Sequence, residues 1–420
     1  MLISVKNIEH SLQVNLPLSK SESNRLLMIS HYAGIDDLKS LTPFLSTSDD
    51  TVLLQNLLSI ISGNTSENEV VELNCNNAGT VFRFLMTAVV NEQYTDDYRQ
   101  LKYLLTGSNR MKERPIASLV DALRNLGVSI EYKGRDGYPP VMIKTCRIEG
   151  GRVEVSVEQS SQFASSLLLA SPLWKKGLEL HLTGNMSSMP YIDMTINMMR
   201  QYGIEVYRNG RDVVVKSGCY DLKNISVEPD WSAAAFWYEI AAFSETSDIM
   251  LKNLNIYSLQ ADVVSMKMFD VLGVKTVACN NGLVLKKKDI SINNLTFDFK
   301  DCPDLFPAVI ATCAGLGLDA TFTGLENLMI KESDRKKAMI NELTKVNISF
   351  EEVANDVLKM KCPKVLPFFS EEDPLVFDNY EDHRIAMALS VLSMKIGTIS
   401  MEKTDVVSKS YPEFYKSIGL

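Results

Sequence analysis

A short stretch near the N-terminus concentrates cations and hydroxyl groups in a chain that is acidic overall. PLSKSESNRLLM, residues 17–28, places Lys20, Ser21 and Arg25 before an apolar run, whereas the chain has 52 Asp and Glu, 43 Lys and Arg, and a net charge of -9. A helix capped by Ser21 would add unpaired backbone N–H groups and a positive dipole end. The segment therefore predicts an anion-binding site, the alternative being an ordinary solvated helix.

Three further segments in the first half carry donors at the start of predicted helices. In residues 76–87, Gly79 lacks a Cβ, so a ligand could approach the backbone closely. Residues 105–116 carry three cations around one glutamate, and residues 158–173 open an apolar helix with two serines and a glutamine. Each segment alone is also typical of a capped core helix.

The second half carries carboxylates among cations. In LMIKESDRKKAM, Glu332 lies between Lys331 and Arg335, a setting that can tune a carboxylate for proton transfer. Asp304 stands at the start of another predicted helix, where it could act as a base, and Arg384 stands at the start of a third. A surface ion-pair network remains the alternative for the Glu332 cluster.

Several classes of protein are disfavoured by what the sequence lacks. The G-x-G-x-x-G, P-loop and G-x-S-x-G motifs are absent, which argues against dehydrogenases, kinases and serine hydrolases. The four histidines are scattered, so a metal cage is not expected. Seven cysteines without a C-x-x-C pair indicate reduced thiols, and neither an apolar span nor a signal peptide is present. The sequence thus predicts a cytoplasmic protein without nucleic-acid or membrane partners.

A repeated pattern of helix, small residue and strand indicates how these segments are positioned. Glycine and asparagine suit the left-handed end of a helix, and the four central turn residues are 70 to 76 positions apart. Such a period predicts about six units in two domains of three, although helix–glycine–strand junctions occur in any mixed α/β protein. The turn residues are Gly63, Gly127, Gly203, Gly273, Asn347 and Gly419.

Nine segments, taken in order, resemble the EPSP synthase family of 3-phosphoshikimate 1-carboxyvinyltransferases over nearly the full chain. The segments are SKSESNR, NAGTVFR, LTGSNRMKERP, SSQFASSLLLASPL, SMPYIDMTINMM, VEPDWSAAAFW, KESDRKKAM, EDHRIAMALS and SKSYPEF. The resemblance implies an α+β fold, a two-domain α/β prism of six βαβαββ repeats with three in each domain. It also implies that residues 1–18 and 231–420 form one domain, residues 19–230 the other, and that the active site lies in the cleft between them.

The resemblance implies a transfer of the enolpyruvyl group from phosphoenolpyruvate to the 5-hydroxyl of shikimate 3-phosphate. The products are 5-enolpyruvylshikimate 3-phosphate and phosphate, on the shikimate pathway to chorismate and the aromatic amino acids. Both substrates carry a phosphate and a carboxylate, which arginine and lysine bind well. Neither a metal nor an organic cofactor is implied, and the expected assembly is a monomer.

The resemblance also assigns site residues by matching motif. The catalytic residues implied are Lys20, Asp304 and Glu332. Shikimate 3-phosphate would contact Lys20, Ser21, Arg25, Ser160, Ser161, Gln162, Ser188, Tyr191, Asp304, Asn327 and Lys331. Phosphoenolpyruvate would contact Lys20, Gly79, Arg114, Gln162, Arg335, Arg384 and Lys409. The herbicide glyphosate occupies the phosphoenolpyruvate site in this family, so the protein is expected to be sensitive to it.

Some positions depart from the family pattern, and two other functions stay open. Leu18, Phe84 and Glu381 stand where glycine, proline and asparagine are usual, and Pro229 and Trp231 stand where small residues are usual. One alternative is UDP-N-acetylglucosamine enolpyruvyl transferase, whose usual reactive cysteine has no counterpart in SNRMKE, residues 108–113. The other is a catalytically dead, ligand-binding relative, which the retained residues disfavour. Those retained are Lys20, Asp304, Glu332 and Lys409.

Overall fold

A computed structural model describes residues 1–6, 11–64, 69–90, 101–245, 248–290 and 295–420. The chain divides into two units by its internal contacts. The discontinuous unit comprises Met1–Ser19 and Glu228–Leu420, and the continuous unit comprises Lys20–Val227.

The secondary structure mixes helices and short strands along the whole chain. The strands are β1 Leu2–Ile3, β2 Leu12–Val14, β3 Val70–Asn74, β4 Lys102–Thr106, β5 Ser129–Tyr132, β6 Val141–Lys144, β7 Gly151–Ser156, β8 Leu178–Thr183, β9 Val206–Asn209, β10 Asp212–Val215, β11 Asp248–Lys252, β12 Val274–Cys279, β13 Gly282–Lys287, β14 Leu295–Asp298, β15 Ala320–Thr323, β16 Ser349–Ala354, β17 Val357–Lys361, β18 Leu375–Phe377 and β19 Ile399–Met401. The α-helices are α1 Lys20–Tyr32, α2 Asp49–Gly63, α3 Gly79–Ala88, α4 Asn109–Lys112, α5 Ala117–Asn125, α6 Gln162–Ala170, α7 Met189–Gln201, α8 Trp231–Phe243, α9 Ser265–Val271, α10 Phe306–Gly315, α11 Arg335–Thr344, α12 His383–Ile396 and α13 Phe414–Ser417.

Four sheets share one topology. Their orders are β3-β4-β6-β5 and β7-β8-β10-β9 in the continuous unit, and β2-β11-β13-β12 and β14-β15-β17-β16 in the discontinuous unit. In each, the first two strands are parallel and the other neighbours antiparallel. A helix of the same unit lies between the two parallel strands, as parallel pairing requires a crossover, and between β2 and β11 the chain also passes through the whole continuous unit. The arrangement is the predicted βαβαββ repeat, and the predicted class of mixed helices and sheets is confirmed.

The remaining two repeats depart from this pattern among the described residues. In the fifth sheet, β18 and β19 are parallel and β1 from the N-terminus pairs antiparallel with β19, so the two ends of the chain share one sheet. Residues 20–64 hold α1 and α2, with no strand within that range. The described chain therefore has four complete repeats, one three-stranded sheet and one pair of helices.

The repeat glycines end helices as predicted, with one exception. Gly127, Gly203 and Gly273 have φ angles of 93°, 88° and 88°, and Asn347 has a φ of 66°. These left-handed turns return the chain at once into a strand, which glycine does without a Cβ penalty. Gly63 does not fit, because it is the last residue of α2 and the following Asn64 has a φ of -80°.

The helices α8 and α10 of the discontinuous unit are apolar on most of their surface and buried. Such all-round apolarity is typical of helices inside a core rather than on its surface. Several other helices begin at or next to residues that the sequence analysis proposed for chemistry, so these side chains lie beside the unpaired N–H groups of helix N-termini. These starts are Lys20 of α1, Gly79 of α3, Gln162 of α6, Arg335 of α11 and His383 of α12. Within the described ranges, no helix is both long and apolar enough to cross a bilayer.

Glu239 lies in the middle of α8 with a fully buried side chain. Neither carboxyl oxygen has a hydrogen-bond partner among the described residues, and burial raises the pKa well above its usual value. Because the folded-state pKa is raised, the stability linked to this proton is present at acid pH and is lost as pH rises toward that pKa. Glu239 therefore lowers the free energy of unfolding more and more as the pH rises above about 4.3.

Replacing Glu239 with methionine is expected to raise the free energy of unfolding by about 1–3 kcal/mol at neutral pH, since an unsatisfied buried polar group is removed. The gain should grow with pH. Urea unfolding of both proteins over a pH series measures it, with Glu239→Gln as the matched neutral control that removes the pH dependence alone. A gain that stays constant across the series would contradict this account.

Candidate active site

Lys20 is the first residue of α1, one position before the predicted start of this helix. Ser21 therefore lies inside the first turn, and the prediction that it is the N-cap is wrong. The Lys20 Nζ lies 3.0 Å from the Asp50 Oδ2 near the start of α2, and both side chains are largely buried. This carboxylate holds the ammonium group in one place at the end of the helix.

Arg25 is buried and ties α1 to α7. Its Nε donates to the Thr195 Oγ1 at 2.8 Å, and its Nη2 donates to the Tyr191 carbonyl at 3.0 Å. Its Nη1 donates to the Ser21 carbonyl at 2.8 Å. Burial lowers the pKa of Arg25 to about 10, against the opposing effects of Tyr191 and Glu22, so the guanidinium stays charged at neutral pH. The arginine thus positions two other predicted site residues as well as carrying charge.

Ser188 stands at the N-cap of α7 in a left-handed conformation, with a φ of 56°, and is buried. A non-glycine residue pays a steric cost for this conformation, and such strain is concentrated at functional sites. Its carbonyl accepts from the backbone N–H of Tyr191 at 3.2 Å. Ser188 and Tyr191 therefore share one turn, next to the buried Arg25.

Two arginines converge on Gly79 at the start of α3. A Cβ built on Gly79 would lie 2.5 Å from the Arg83 Nη1 and 2.6 Å from the Arg114 Nη2. The Gln162 side chain accepts from the Arg83 Nη1 at 2.8 Å and donates to the Thr80 Oγ1 at 2.7 Å. The absent side chain of Gly79 is what leaves room for both guanidinium groups.

Arg83 is absent from the set of site residues predicted from the sequence. It is 2% exposed, and its guanidinium lies over the Phe163 ring at 5.3 Å. The signal was available, because Arg83 follows Gly79 by four residues and helical residues at that spacing share one face. Arg83 belongs with Arg114 and Gln162 as one cluster.

Ser160 and Ser161 precede α6 and serve its N-terminus differently. The Ser160 Oγ accepts from the backbone N–H of Gln162 at 3.2 Å. Ser161 holds the N-cap position, is buried, and makes no side-chain capping bond. The predicted residues of the continuous unit thus lie at the N-terminal ends of α1, α3, α6 and α7, except for Arg25 in the second turn of α1 and Arg114 just before α5.

Arg335 is the centre of the cluster in the discontinuous unit. It is 1% exposed and contacts three carboxylates: Asp304 at 2.6 Å, Asp382 at 2.8 Å and Glu332 at 2.9 Å. Burial alone would lower the pKa of Arg335, but Asp382, Glu332 and Asp304 together raise it. One planar guanidinium therefore sets the positions of the two carboxylates predicted to be catalytic.

Asp304 lies in the short 3-10 helix Pro303–Leu305, ahead of α10. Besides Arg335, it contacts the Arg384 Nη2 at 2.9 Å and the Lys331 Nζ at 3.9 Å. Burial would raise the pKa of Asp304, but Arg384, Lys331 and Arg335 outweigh it and hold the pKa well below its usual range. Asp304 is ionised at neutral pH, and it is a weak base while these ion pairs persist.

Glu332 bridges Arg335 to the end of the chain, since its Oε1 lies 3.9 Å from the Lys409 Nζ. Lys409 ends the 3-10 helix Thr404–Lys409 and is largely buried. The structure thus brings Lys331, Glu332, Arg335 and Lys409 together with Asp304 and Arg384. Asn327 lies in the preceding 3-10 helix Glu326–Ile330 and is half-buried.

Asp382 is a site residue that the sequence-based set misses. It is fully buried at the N-cap of α12, where its carboxylate accepts from the backbone N–H of Arg384 at 3.0 Å and from the Ser333 Oγ at 3.1 Å. An aspartate directly before an apolar helix is a signal for an N-cap. Its ion pair with Arg335 has no such local signal, because the two residues are 47 positions apart.

The residues that depart from the family pattern make the following contacts in the structure. Leu18 forms an isolated antiparallel bridge with Pro229, and the backbone N–H of the buried Trp231 donates to the Gln260 Oε1 at 2.9 Å. Phe84 is buried in α3, where the Arg25 guanidinium lies 5.8 Å from its ring. Glu381 pairs with Lys403 at the surface.

Solved structures show the class of protein to which this fold belongs. The EPSP synthase from Acinetobacter baumannii superposes with a TM-score of 0.72 at 22% identity, covering 99% of this chain and 97% of that one. The enolpyruvyl transferase NikO from Streptomyces tendae gives a TM-score of 0.66 at 13% identity, covering 99% and 96%. The fold is that of the enolpyruvyl transferases.

Sequence comparisons identify the family within this class. The family model described as EPSP synthase (3-phosphoshikimate 1-carboxyvinyltransferase) matches residues 9–418. The 3-phosphoshikimate 1-carboxyvinyltransferase of Bacteroides fragilis is 36% identical over 406 residues, covering 96% of this chain and 94% of its own. That of a Sulfurovum species is 32% identical over 425 residues, covering 96% and 95%. The chain belongs to the EPSP synthase family, which confirms the family predicted from its motifs.

Proposed function

We propose that the protein transfers the enolpyruvyl group of phosphoenolpyruvate to the 5-hydroxyl of shikimate 3-phosphate. The observation that carries the proposal is the pair of carboxylates, Asp304 and Glu332, held by one buried arginine and surrounded by cations. The reaction needs two proton-transfer groups beside phosphate and carboxylate anions. The Arg335 cluster supplies both kinds of group within one unit.

The chemistry assigns a different task to each carboxylate. Phosphoenolpyruvate must gain a proton on its methylene carbon while the 5-hydroxyl oxygen attacks the adjacent carbon and loses its proton. The resulting tetrahedral adduct then loses phosphate and a methyl proton, which restores the double bond. We assign Asp304 to the 5-hydroxyl proton, which requires that the bound anions draw Arg384 and Lys331 away from its carboxylate. We assign Glu332 and Lys20 to the protons exchanged at the phosphoenolpyruvate carbon.

The remaining residues are assigned to substrate binding. One buried network joins Arg25, Ser188 and Tyr191, and this supports their assignment to the shikimate 3-phosphate site. The residues assigned to that site also include Lys20, Ser21, Ser160, Ser161, Gln162, Asp304, Asn327 and Lys331. For phosphoenolpyruvate we assign Lys20, Gly79, Arg114, Gln162, Arg335, Arg384 and Lys409, and we add Arg83 because it meets Arg114 at Gly79.

These residues come from two domains, 1–18 with 231–420 and 19–230, which we propose act on the same pair of substrates. The two units found by contacts, dividing after Ser19 and Val227, support this assignment. Arginine and lysine outnumber carboxylates in the continuous unit's set, as anion binding requires. No metal ion enters the proposed steps, and in the described ranges no three His, Cys, Asp or Glu side chains are grouped to bind one.

Incubating the purified protein with both substrates tests the proposal. Mass spectrometry should detect 5-enolpyruvylshikimate 3-phosphate, with one phosphate released per product formed. Reactions lacking one substrate, and the Asp304→Asn variant, serve as controls. If UDP-N-acetylglucosamine accepts the enolpyruvyl group instead, the assigned acceptor is wrong. If neither acceptor reacts, the protein is a ligand-binding relative and the proposal fails.

Replacing Gly79 with alanine is expected to raise the inhibition constant of glyphosate more than the KM for phosphoenolpyruvate. The new methyl group must displace the Arg83 or Arg114 guanidinium, which lie 2.5 and 2.6 Å from its position. Overpacking of this kind costs about 1–3 kcal/mol, or about 5–150-fold in affinity. Glyphosate is the longer molecule and should lose more.

Steady-state inhibition kinetics with phosphoenolpyruvate as the varied substrate measures both constants for Gly79→Ala. Gly63→Ala, with nothing within 4 Å of its Cβ, is the matched control and should leave both constants unchanged. Native resistance to millimolar glyphosate, or equal shifts of the two constants, would show that the ligand does not contact Gly79.

A further inference from the structure

Asp262 is a buried carboxyl group that the reaction described above does not use. It lies in the 3-10 helix Ala261–Val264, directly ahead of α9, and is 2% exposed. The Ser232 hydroxyl donates to its Oδ2. Its Oδ1 is buried and has no hydrogen-bond partner in the described parts of the chain. A buried acceptor left in this state is uncommon and requires an explanation.

Arg384 has unused hydrogen-bond donors, whereas Asp262 has an unused acceptor. Its Nη2 donates to Asp304, but its Nε and Nη1 are buried and have no hydrogen-bond partner in any described range. Arg384 itself is 4% exposed. Burial has the largest effect on the pKa of each group, but Arg384 also acts to lower the pKa of Asp262, and Asp262 acts to raise the pKa of Arg384. A cation with unused donors and a carboxyl group with an unused acceptor therefore lie in one cluster.

The charge state of Asp262 decides how strongly Arg384 attracts it. The ionisable groups that face it are Asp230, Cys302, Asp304 and Arg384. Burial and the charge of Asp304 raise the pKa of Asp262 to about 7, although Arg384 and the Ser232 hydrogen bond oppose the shift. The carboxyl group is thus neutral at acid pH and becomes anionic just above neutrality. A neutral carboxyl group has little attraction for a guanidinium.

We propose that Asp262 is a positioning residue that controls whether Arg384 can receive an anionic substrate. While Asp262 carries a proton, the Nε and Nη1 of Arg384 stay uncommitted, and a movement of the side chain presents these buried donors to the anion. Once Asp262 loses the proton, its carboxylate pairs with Arg384 and competes with the anion for the same donors. That the anion is phosphoenolpyruvate rests on the proposed function, whereas the competition itself does not.

Calorimetric titration with sulfate tests the competition without relying on turnover. Sulfate does not change its charge around neutral pH, so a change in its affinity reports a change in the protein. For the native protein, the dissociation constant should rise by up to about tenfold per pH unit above about pH 7. In Asp262→Asn, which cannot ionise, it should stay nearly constant. Arg384→Gln should lose the pH-dependent binding altogether.

Two further variants distinguish the proposed effect from a folding defect. Ser232→Ala removes the hydrogen bond that favours the ionised form, so the loss of affinity should move to higher pH. Asp270→Asn, on α9 and paired with Lys288 at the surface, should behave as the native protein does. If Asp262→Asn and the native protein weaken equally with pH, or if Ser232→Ala leaves the midpoint unchanged, the proposal is overturned.

The enzymatic assay separates this inference from the proposed function. The KM for phosphoenolpyruvate of the native enzyme should rise above about pH 7 in the same way as the sulfate constant, and that of Asp262→Asn should not. A merely structural role for Asp262 would change kcat and KM by the same factors at every pH and leave the pH profile unchanged. If no product forms at all, the proposed function fails, and the sulfate titrations still decide the role of Asp262.

Discussion

Replacing Glu332 with glutamine is expected to lower kcat by about 10²–10⁴-fold while the protein folds normally. The Glu332 carboxylate lies 2.9 Å from the Arg335 Nη2 and 3.9 Å from the Lys409 Nζ. An amide keeps the size of the side chain and an oxygen that can accept from Arg335, but it cannot exchange a proton with the substrate carbon. The rate should therefore change far more than the KM for either substrate.

Steady-state rates of phosphate release measure the effect, and circular dichroism checks that Glu332→Gln is folded. Glu351→Gln, an exposed position in β16 of the same unit, is the matched control and should retain native rates. A near-native kcat for Glu332→Gln would remove Glu332 from the proton transfers. A large rise in KM with an unchanged kcat would assign it to binding instead.

Replacing Arg335 with methionine is expected to destabilise the protein by about 3–5 kcal/mol, because three carboxylates of a buried ion network lose the guanidinium that they share. Asp304, Glu332 and Asp382 all contact this guanidinium. Of the three, Asp382 is fully buried, so its charge would lose its ion pair in a place that water cannot reach. Activity should also fall, since both proposed catalytic carboxylates would lose their positions.

The stability deficit of Arg335→Met should shrink in acid. The pKa of Asp304 is held below its usual range in the native protein. The stability that comes from a depressed pKa is fully present above the pKa of the unfolded state, about 3.9. It is lost as the pH falls below that value and through the lower pKa of the folded state. Urea unfolding of both proteins at neutral and acid pH measures this, with Arg335→Lys expected between them because lysine keeps the charge but not the planar fork. An equal deficit at every pH would mean that lost packing, not charge, causes it.

Local features of the fold could be predicted because they depend on neighbours in the sequence. The left-handed turns at Gly127, Gly203 and Gly273 follow from the need for a residue without a Cβ where a helix returns into a strand. The helix beginning near Ser21 follows from its polar start and apolar continuation. Gly63 was predicted wrongly because the same small residue is also tolerated as the last residue of a helix that ends without a left-handed turn.

The motifs and their order along the chain were enough to identify the family and the residue types of its site. Helix starts, repeat turns and charged clusters each depend on residues that are close together in the sequence. The partners of those charges were decided only by tertiary structure. Arg335 meets Asp382 across 47 residues, and Arg83 meets Gln162 across 79. Ion pairing and burial, which set the pKa of Asp304 and of Asp262, depend on which segments the packing brings together, and no local pattern records that choice.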